Sequence, residues 1–111
     1  MAFTNKKLIK PLDTPTIAGS LIYTVPGNVS TILTVITVAN TTNGLLHFTL
    51  NLCDQNDAAA SSNALLSGVE IDPHATANFN FGQVLLAGDK VRASADATGL
   101  TLHMSGIEIS P

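Results

Sequence analysis

The sequence predicts an all-β protein, an antiparallel β-sandwich of jelly-roll type with about eight strands and an extended N-terminal arm. Three observations carry this. Hydrophobic residues alternate with period two in one segment after another, and Gly, Pro and Asn turn signals separate those segments at short spacing. No segment sustains the 3.6-residue period of an amphipathic helix. At 111 residues the chain suits one domain that buries roughly two thirds of its unfolded surface. Hydrophobic residues make up 45%, with no Trp and one Tyr, so the core must be packed from medium aliphatics.

Residues 1–18 contain Pro11 and Pro15 within KPLDTPT, and proline interrupts strand ladders, so this stretch reads as an arm with a short strand near residues 6–10. The sandwich domain is then residues 19–111. A strand near 19–25 ends at VPGN, where Pro26 and Gly27 suit the centre of a type II turn. The next, near 29–39, leads through Asn-Thr-Thr-Asn-Gly into a strand near 45–53. There Leu46, Phe48, Leu50 and Leu52 share one face, opposite His47, Thr49, Asn51 and Cys53. NDAAASSNALL reads as a loop with at most one helical turn. Strands near 65–71, 75–82 and 89–96 follow, the last two separated by Gly88. The closing strand, near 100–109, starts after Gly99 and places Leu100, Leu102 and Met104 inward. The aliphatic phase then shifts to Ile107 and Ile109, which predicts a β-bulge at Ser105-Gly106.

Charged residues reach only 12%, against about 25% in an average domain. Residues 1–12 carry Lys6, Lys7 and Lys10 without an acid. The remainder holds two basic and eight acidic residues, a net −6. Direct nucleic-acid binding by the body is disfavoured, because tracking phosphates needs clustered Lys and Arg and only Lys90 and Arg92 remain there. The start shows no apolar run of signal-peptide type, and VSTILTVITVA falls short of the ~20 apolar residues of a membrane helix. A product that is cytosolic when made, with no membrane association, is the expectation.

No catalytic, cofactor-binding or metal residue is assigned. Cys53 lies beside Asp54, and a neighbouring acid raises a thiol pKa instead of activating it. His47, His74 and His103 lack ligand spacing, although His47 and His103 would be neighbours if their strands paired. DQND, residues 54–57, fails the calcium-loop pattern at Ala58 and at the missing Gly. The polar strand positions Thr31, Thr37, Thr49, Asn51, Ser94 and Thr101 are open to two readings, a plain polar solvent face or a surface that packs against a flat partner without a charged pocket. A carbohydrate-binding module is a further class, disfavoured because stacking on sugars needs exposed Trp or Tyr and only Tyr23 is present.

The order of motifs also carries a resemblance. LIYTVPGNVSTILTVITVANTT, then LHFTLNL, then NALLSGVEIDPHATANFNFGQVLLAGDKVRASADATGLTLHMSGIEI resembles small β-sandwich virion proteins of tailed bacteriophages, over residues 21–109. The resemblance implies a structural subunit, either a capsid decoration (cement) protein on the outer surface of the head or a tail-associated protein. It implies the major capsid protein and neighbouring copies of itself as partners, with homo-oligomers on the particle. Contact is expected through the arm, at Lys6, Lys7, Leu8, Ile9 and Lys10, and no enzymatic activity or cofactor is implied.

Overall fold

The computed structural model describes residues 2–111. Among these residues nine strands run in chain order: β1 (Ala2–Lys7), β2 (Leu12–Asp13), β3 (Leu21–Thr24), β4 (Ser30–Asn40), β5 (Leu46–Cys53), β6 (Ala64–Ile71), β7 (Thr76–Leu85), β8 (Lys90–Ala95) and β9 (Leu100–Ser110). One sheet, A, has the order β1-β9-β4-β7, with β2 also pairing β9. The other, B, has the order β3-β8-β5-β6. Every pairing is antiparallel. From β3 to β9 the chain places consecutive strands in B, A, B, B, A, B and A, the layered connectivity of a jelly roll. The expected loop at Asn56–Leu66 contains a single 3₁₀ turn at Ser61–Asn63.

The core forms where the inward sides of the two sheets meet. Leu33, Ile36 and Val38 from β4 and Leu100, Leu102 and Met104 from β9 face Phe48 and Leu50 from β5 and Val91 and Ala93 from β8. Phe79 and Phe81, two residues apart on β7, stack against this cluster with ring centroids 6.5 Å apart. Aliphatics dominate, as the composition requires.

Turns fall near the expected positions, with one shift. Gly88 and Gly99 hold the left-handed φ of +87° and +119° that favours glycine. After Pro26 the left-handed residue is Asn28, φ 62°, not Gly27, so the turn sits one residue later than the Pro-Gly pair suggests.

The bulge lies on a different strand from the one expected. β9 runs without interruption against β1, from Ser110 opposite Ala2 to Ser105 opposite Lys7. The register breaks instead on β4, between Leu33 and Val35, against both β9 and β7. Against β9 Thr34 is the extra residue, and its Oγ1 donates to Ser105 O at 3.1 Å; against β7 the extra residue falls on β7, between Asn80 and Gln83. Even positions of β9 therefore stay inward to its end. Ile107 and Ile109 point outward beside Ile32 and Ser30, and Glu108 points inward beside Thr31. Thr31, expected on a polar outer face, is fully buried and bonds Tyr23 Oη at 3.0 Å.

The first eighteen residues also depart from the expected free arm. Ala2–Lys7 pairs with β9 as a strand of the sheet, Leu12 and Asp13 pair with Leu102 and Thr101, and Leu8 and Ile9 are buried in the core. Two apolar side chains between flanking lysines help anchor the segment, burying each being worth about 1.5–3 kcal/mol, and the pairing with β9 adds to this. Met1 lies outside the described residues.

Candidate interaction surface

Side chains that could do chemistry lie scattered. His47 is on sheet B and His103 on sheet A, so they are not cross-strand neighbours. His47 Nδ1 lies 2.7 Å from Asp96 Oδ2, and the His47 backbone N–H donates to Asp96 Oδ1 at 2.9 Å. Those bonds hold the Asp96 carboxyl below the usual carboxylate range. His74 Nε2 pairs with Asn43 Oδ1 at 2.6 Å. Cys53 is buried on the outer side of sheet B, and burial pushes its thiol up despite the nearby Arg92 guanidinium. Among the described residues no three His, Cys, Asp or Glu side chains converge as metal ligands, and no helix is long and apolar enough to cross a membrane.

The loop between β5 and β6 explains why Cys53 and Asn51 are buried on an outer face. Asn51 Nδ2 donates to Ala60 O at 3.0 Å and to Asn63 Oδ1 at 2.8 Å, while Asn63 Nδ2 donates to Ala58 O at 3.0 Å. The loop is thereby folded over sheet B. Asn51 serves the fold, whereas Thr49 and Ser94 stay partly exposed as expected.

Among the described residues, sheet A carries no such cover. Residues paired across a sheet share a face, so its outer side is set by the register. Phe3, Asn5 and Lys7 of β1 lie beside Ile109, Ile107 and Ser105 of β9. Those continue to Ser30, Ile32 and Val35 of β4, and then to Val84 and Asn80 of β7. One half of this face is apolar: Phe3 is 66% exposed and Val84 63%, with Ile32, Ile107 and Ile109 partly exposed between them. The other half is Thr37, Ala39, Thr101, His103, Asn78 and Thr76. Among the described residues, Lys7 and Asp13 are the only Lys, Arg, Asp or Glu that the register places on this face, since Lys6 and Glu108 lie on the inward side. Beside the bulge, an open depression of about 390 Å³ is lined by Asn5, Lys6, Lys7, Thr34, Ser105, Gly106 and Ile107.

The five residues expected to make contact through an arm divide accordingly. Lys7 and Lys10 are exposed. Lys6 is exposed as well but bonds Glu108 at 3.1 Å. Leu8 and Ile9, at 8% and 9% exposure, belong to the interior. Ile32, Ile107, Ile109 and Val84 were missed as surface residues because an aliphatic on an uncovered face has the same sequence signature as one in the core. Only the location of the bulge distinguishes them.

No protein-family model and no curated protein matches the chain. Among solved structures, a chain in the structure of infectious bursal disease virus, Gx strain, superposes with a TM-score of 0.52 at 12% identity. The likeness is one of fold. It covers 96% of this chain and 32% of that one, so this chain spans about a third of its neighbour's length. A second match is to the cryo-EM structure of the giant freshwater prawn Macrobrachium rosenbergii extra small virus VLP. It covers 100% of this chain and 82% of that one at 13% identity, but its TM-score of 0.29 carries no argument. The β-sandwich of jelly-roll type expected from the sequence is thus shared with a chain of a virus structure.

Proposed function

We propose that this chain is a structural virion protein of a tailed bacteriophage that attaches to the outside of the assembled head as a decoration protein. The observation that carries the reading is the uncovered outer face of sheet A, a flat surface with an apolar half, few charges and no cluster of reactive groups. Such a face fits a protein lattice better than a small-molecule substrate, whose sites are concave with converging polar groups. The resemblance of residues 21–109 to small phage virion proteins and the fold shared with a virus chain support the same class.

On this reading the partners are the major capsid protein and neighbouring copies, and the chain is not an enzyme. A bound subunit stabilises its lattice by mass action, about 2.7 kcal/mol per site when its free concentration is a hundred times Kd. Apolar and Thr/Asn contacts dominate, so attachment resists moderate salt better than a contact driven by Lys and Arg. Particles lacking the protein should assemble and package DNA, then rupture at a lower temperature than complete ones. Imaging of intact particles should place many copies on the head. Intact heads without tails on removal of the protein would instead identify a tail component and refute the decoration reading.

A further inference from the structure

The two margins of sheet A are open strands running in opposite directions. β1 is antiparallel to β9, β9 to β4 and β4 to β7. The path of four strands therefore starts on a strand pointing one way and ends on one pointing the other. A second copy set beside the first without rotation brings its β1 antiparallel to the first copy's β7.

Both margins also present open peptide groups. Leu8 N–H donates to Met104 O at 2.9 Å, and successive pairs in an antiparallel ladder alternate between bonded and unbonded. Along the unbroken β1–β9 register, Phe3, Asn5 and Lys7 accordingly direct their N–H and C=O groups away from β9. At the other margin Asn40 N–H donates to Ala75 O at 2.9 Å, and the same alternation turns the peptide groups of Asn78 and Asn80 outward. Followed through β9 and across the bulge in β4, it does so for Val84 too. The row Lys7–Ser105–Val35–Asn80 begins and ends on an open peptide group; so does Asn5–Ile107–Ile32–Val84, but β7 advances four residues between the two rows where β1 advances two, so the regular stretch Thr76–Asn80 is the part of the β7 edge that an added β1 fits.

Charge and apolar surface agree with that geometry. The β1 margin carries Lys6, Lys7 and Lys10. The β6–β7 margin carries exposed Glu70 and Asp72, and residues 64–85 contain no Lys or Arg. Exposed Phe3 stands at one margin and exposed Val84 at the other, so joining them continues the apolar band of the outer face. Edge lysines and prolines usually discourage pairing. Here Lys6 is drawn to Glu108 and Pro11 lies beyond β1, leaving the outer edge of Ala2–Lys7 uncovered, with the peptide groups of Phe3, Asn5 and Lys7 open.

We propose that copies of this chain associate head to tail, β1 of one adding to the free edge of β7 in the next, so that sheet A continues from subunit to subunit. The contact is heterologous, and sheet twist rotates each copy relative to the last, as in a ring or a helical array. The inference is independent of the virion reading, since it concerns the purified protein alone.

Asn5→Pro removes an outward N–H without touching the β9 ladder, and Asn80→Pro does the same on β7. The wild-type mass, measured by light scattering during size exclusion, should rise with concentration. Each variant alone should be monomeric. An equimolar mixture should form two-chain species, because one variant keeps a working β7 edge and the other a working β1. A wild-type protein that stays monomeric would overturn the proposal, and so would Asn80→Pro dimerising alone, the mark of two-fold β1–β1 pairing. If circular dichroism shows that either proline disrupts the fold, Phe3→Lys and Val84→Lys, both at exposed positions, supply the same complementation test.

Discussion

Tyr23 Oη donates a 2.8 Å hydrogen bond to Glu108 Oε2, joining β3 of sheet B to β9 of sheet A. Thr31 Oγ1 lies 3.0 Å from the same phenol oxygen and Lys6 Nζ 3.1 Å from Glu108 Oε1. The inward glutamate at this end of the sandwich is thus held by a phenol and an ammonium, which offset the cost of removing it from water.

Tyr23 is the single tyrosine of the chain, so its ionisation can be followed directly. Burial first, and the Glu108 carboxylate after it, push its pKa up to about 12, although the Thr31 bond acts the other way. A raised pKa means that the folded state holds the proton more tightly. The stability this gives is complete below the unfolded value near 10 and is lost as pH rises towards 12. Wild-type Tm should fall across that interval more steeply than that of Tyr23→Phe. At neutral pH the variant should be less stable by about 1–2 kcal/mol in denaturant titration.

Asn40 satisfies an entire loop from a buried position. Its Nδ2 donates to Gly44 O at 2.8 Å and Ile71 O at 2.9 Å, and its Oδ1 accepts from Thr42 N and Thr42 Oγ1. Asn40→Ala should cost about 2–3 kcal/mol, since it takes the Asn40 amide from the buried Ile71 carbonyl and leaves the Thr42 N–H without its acceptor. Asn40→Asp should cost at least as much, because a carboxylate cannot donate to either carbonyl. Equilibrium unfolding of the two variants checks the order.

Asp96 predicts the acid side of the stability profile. Its pKa is lowered first by the His47 backbone N–H and then by the imidazole. A depressed pKa gives stability that is present above the unfolded carboxylate value and lost as pH falls through the folded one. Asp96→Asn should therefore lose less stability than wild type on acidification. Parallel acid titrations of the two proteins would remove Asp96 from the account.

Truncation should show where the N-terminal segment becomes essential. Removing residues 2–5 sacrifices exposed side chains and part of one edge strand, and the sandwich should still melt cooperatively. Removing residues 2–10 deletes Leu8 and Ile9 from the core and should lower stability by several kcal/mol, as roughly 2–5 is lost for each such side chain cut to Ala. Thermal melts of both truncations decide the point.

Seven of the nine strands were legible because alternation in segments such as LHFTLNLC and KVRASA reports directly which side is dry. The turns at Gly88 and Gly99 were legible because no other residue so readily takes their φ. The misreadings share a cause. Leu8 and Ile9 sit between lysines and a proline, with too few residues to show a period, yet two buried side chains dock the segment. At Ser105-Gly106 the aliphatics change phase, but the backbone does not: Gly106 is there because a Cβ would lie 2.4 Å from Ile32 O. The phase change marks where one face stops being core and the other becomes apolar surface.

The place of β9 between β1 and β4 bears on how the chain acquires its shape. β9 follows every other strand in the sequence, yet it is the neighbour that both β1 and β4 require. Sheet B can gather its four strands once β8 has emerged, but sheet A stays divided, with β1 alone and β4 with β7, until β9 is inserted between them. Joining strands so distant along the chain carries a loop-closure cost before any contact repays it, the mark of slow folding. Until then the subunit has two open strand edges flanking a vacant lane, and the rate at which β9 fills that lane sets how long it needs protection from its own kind.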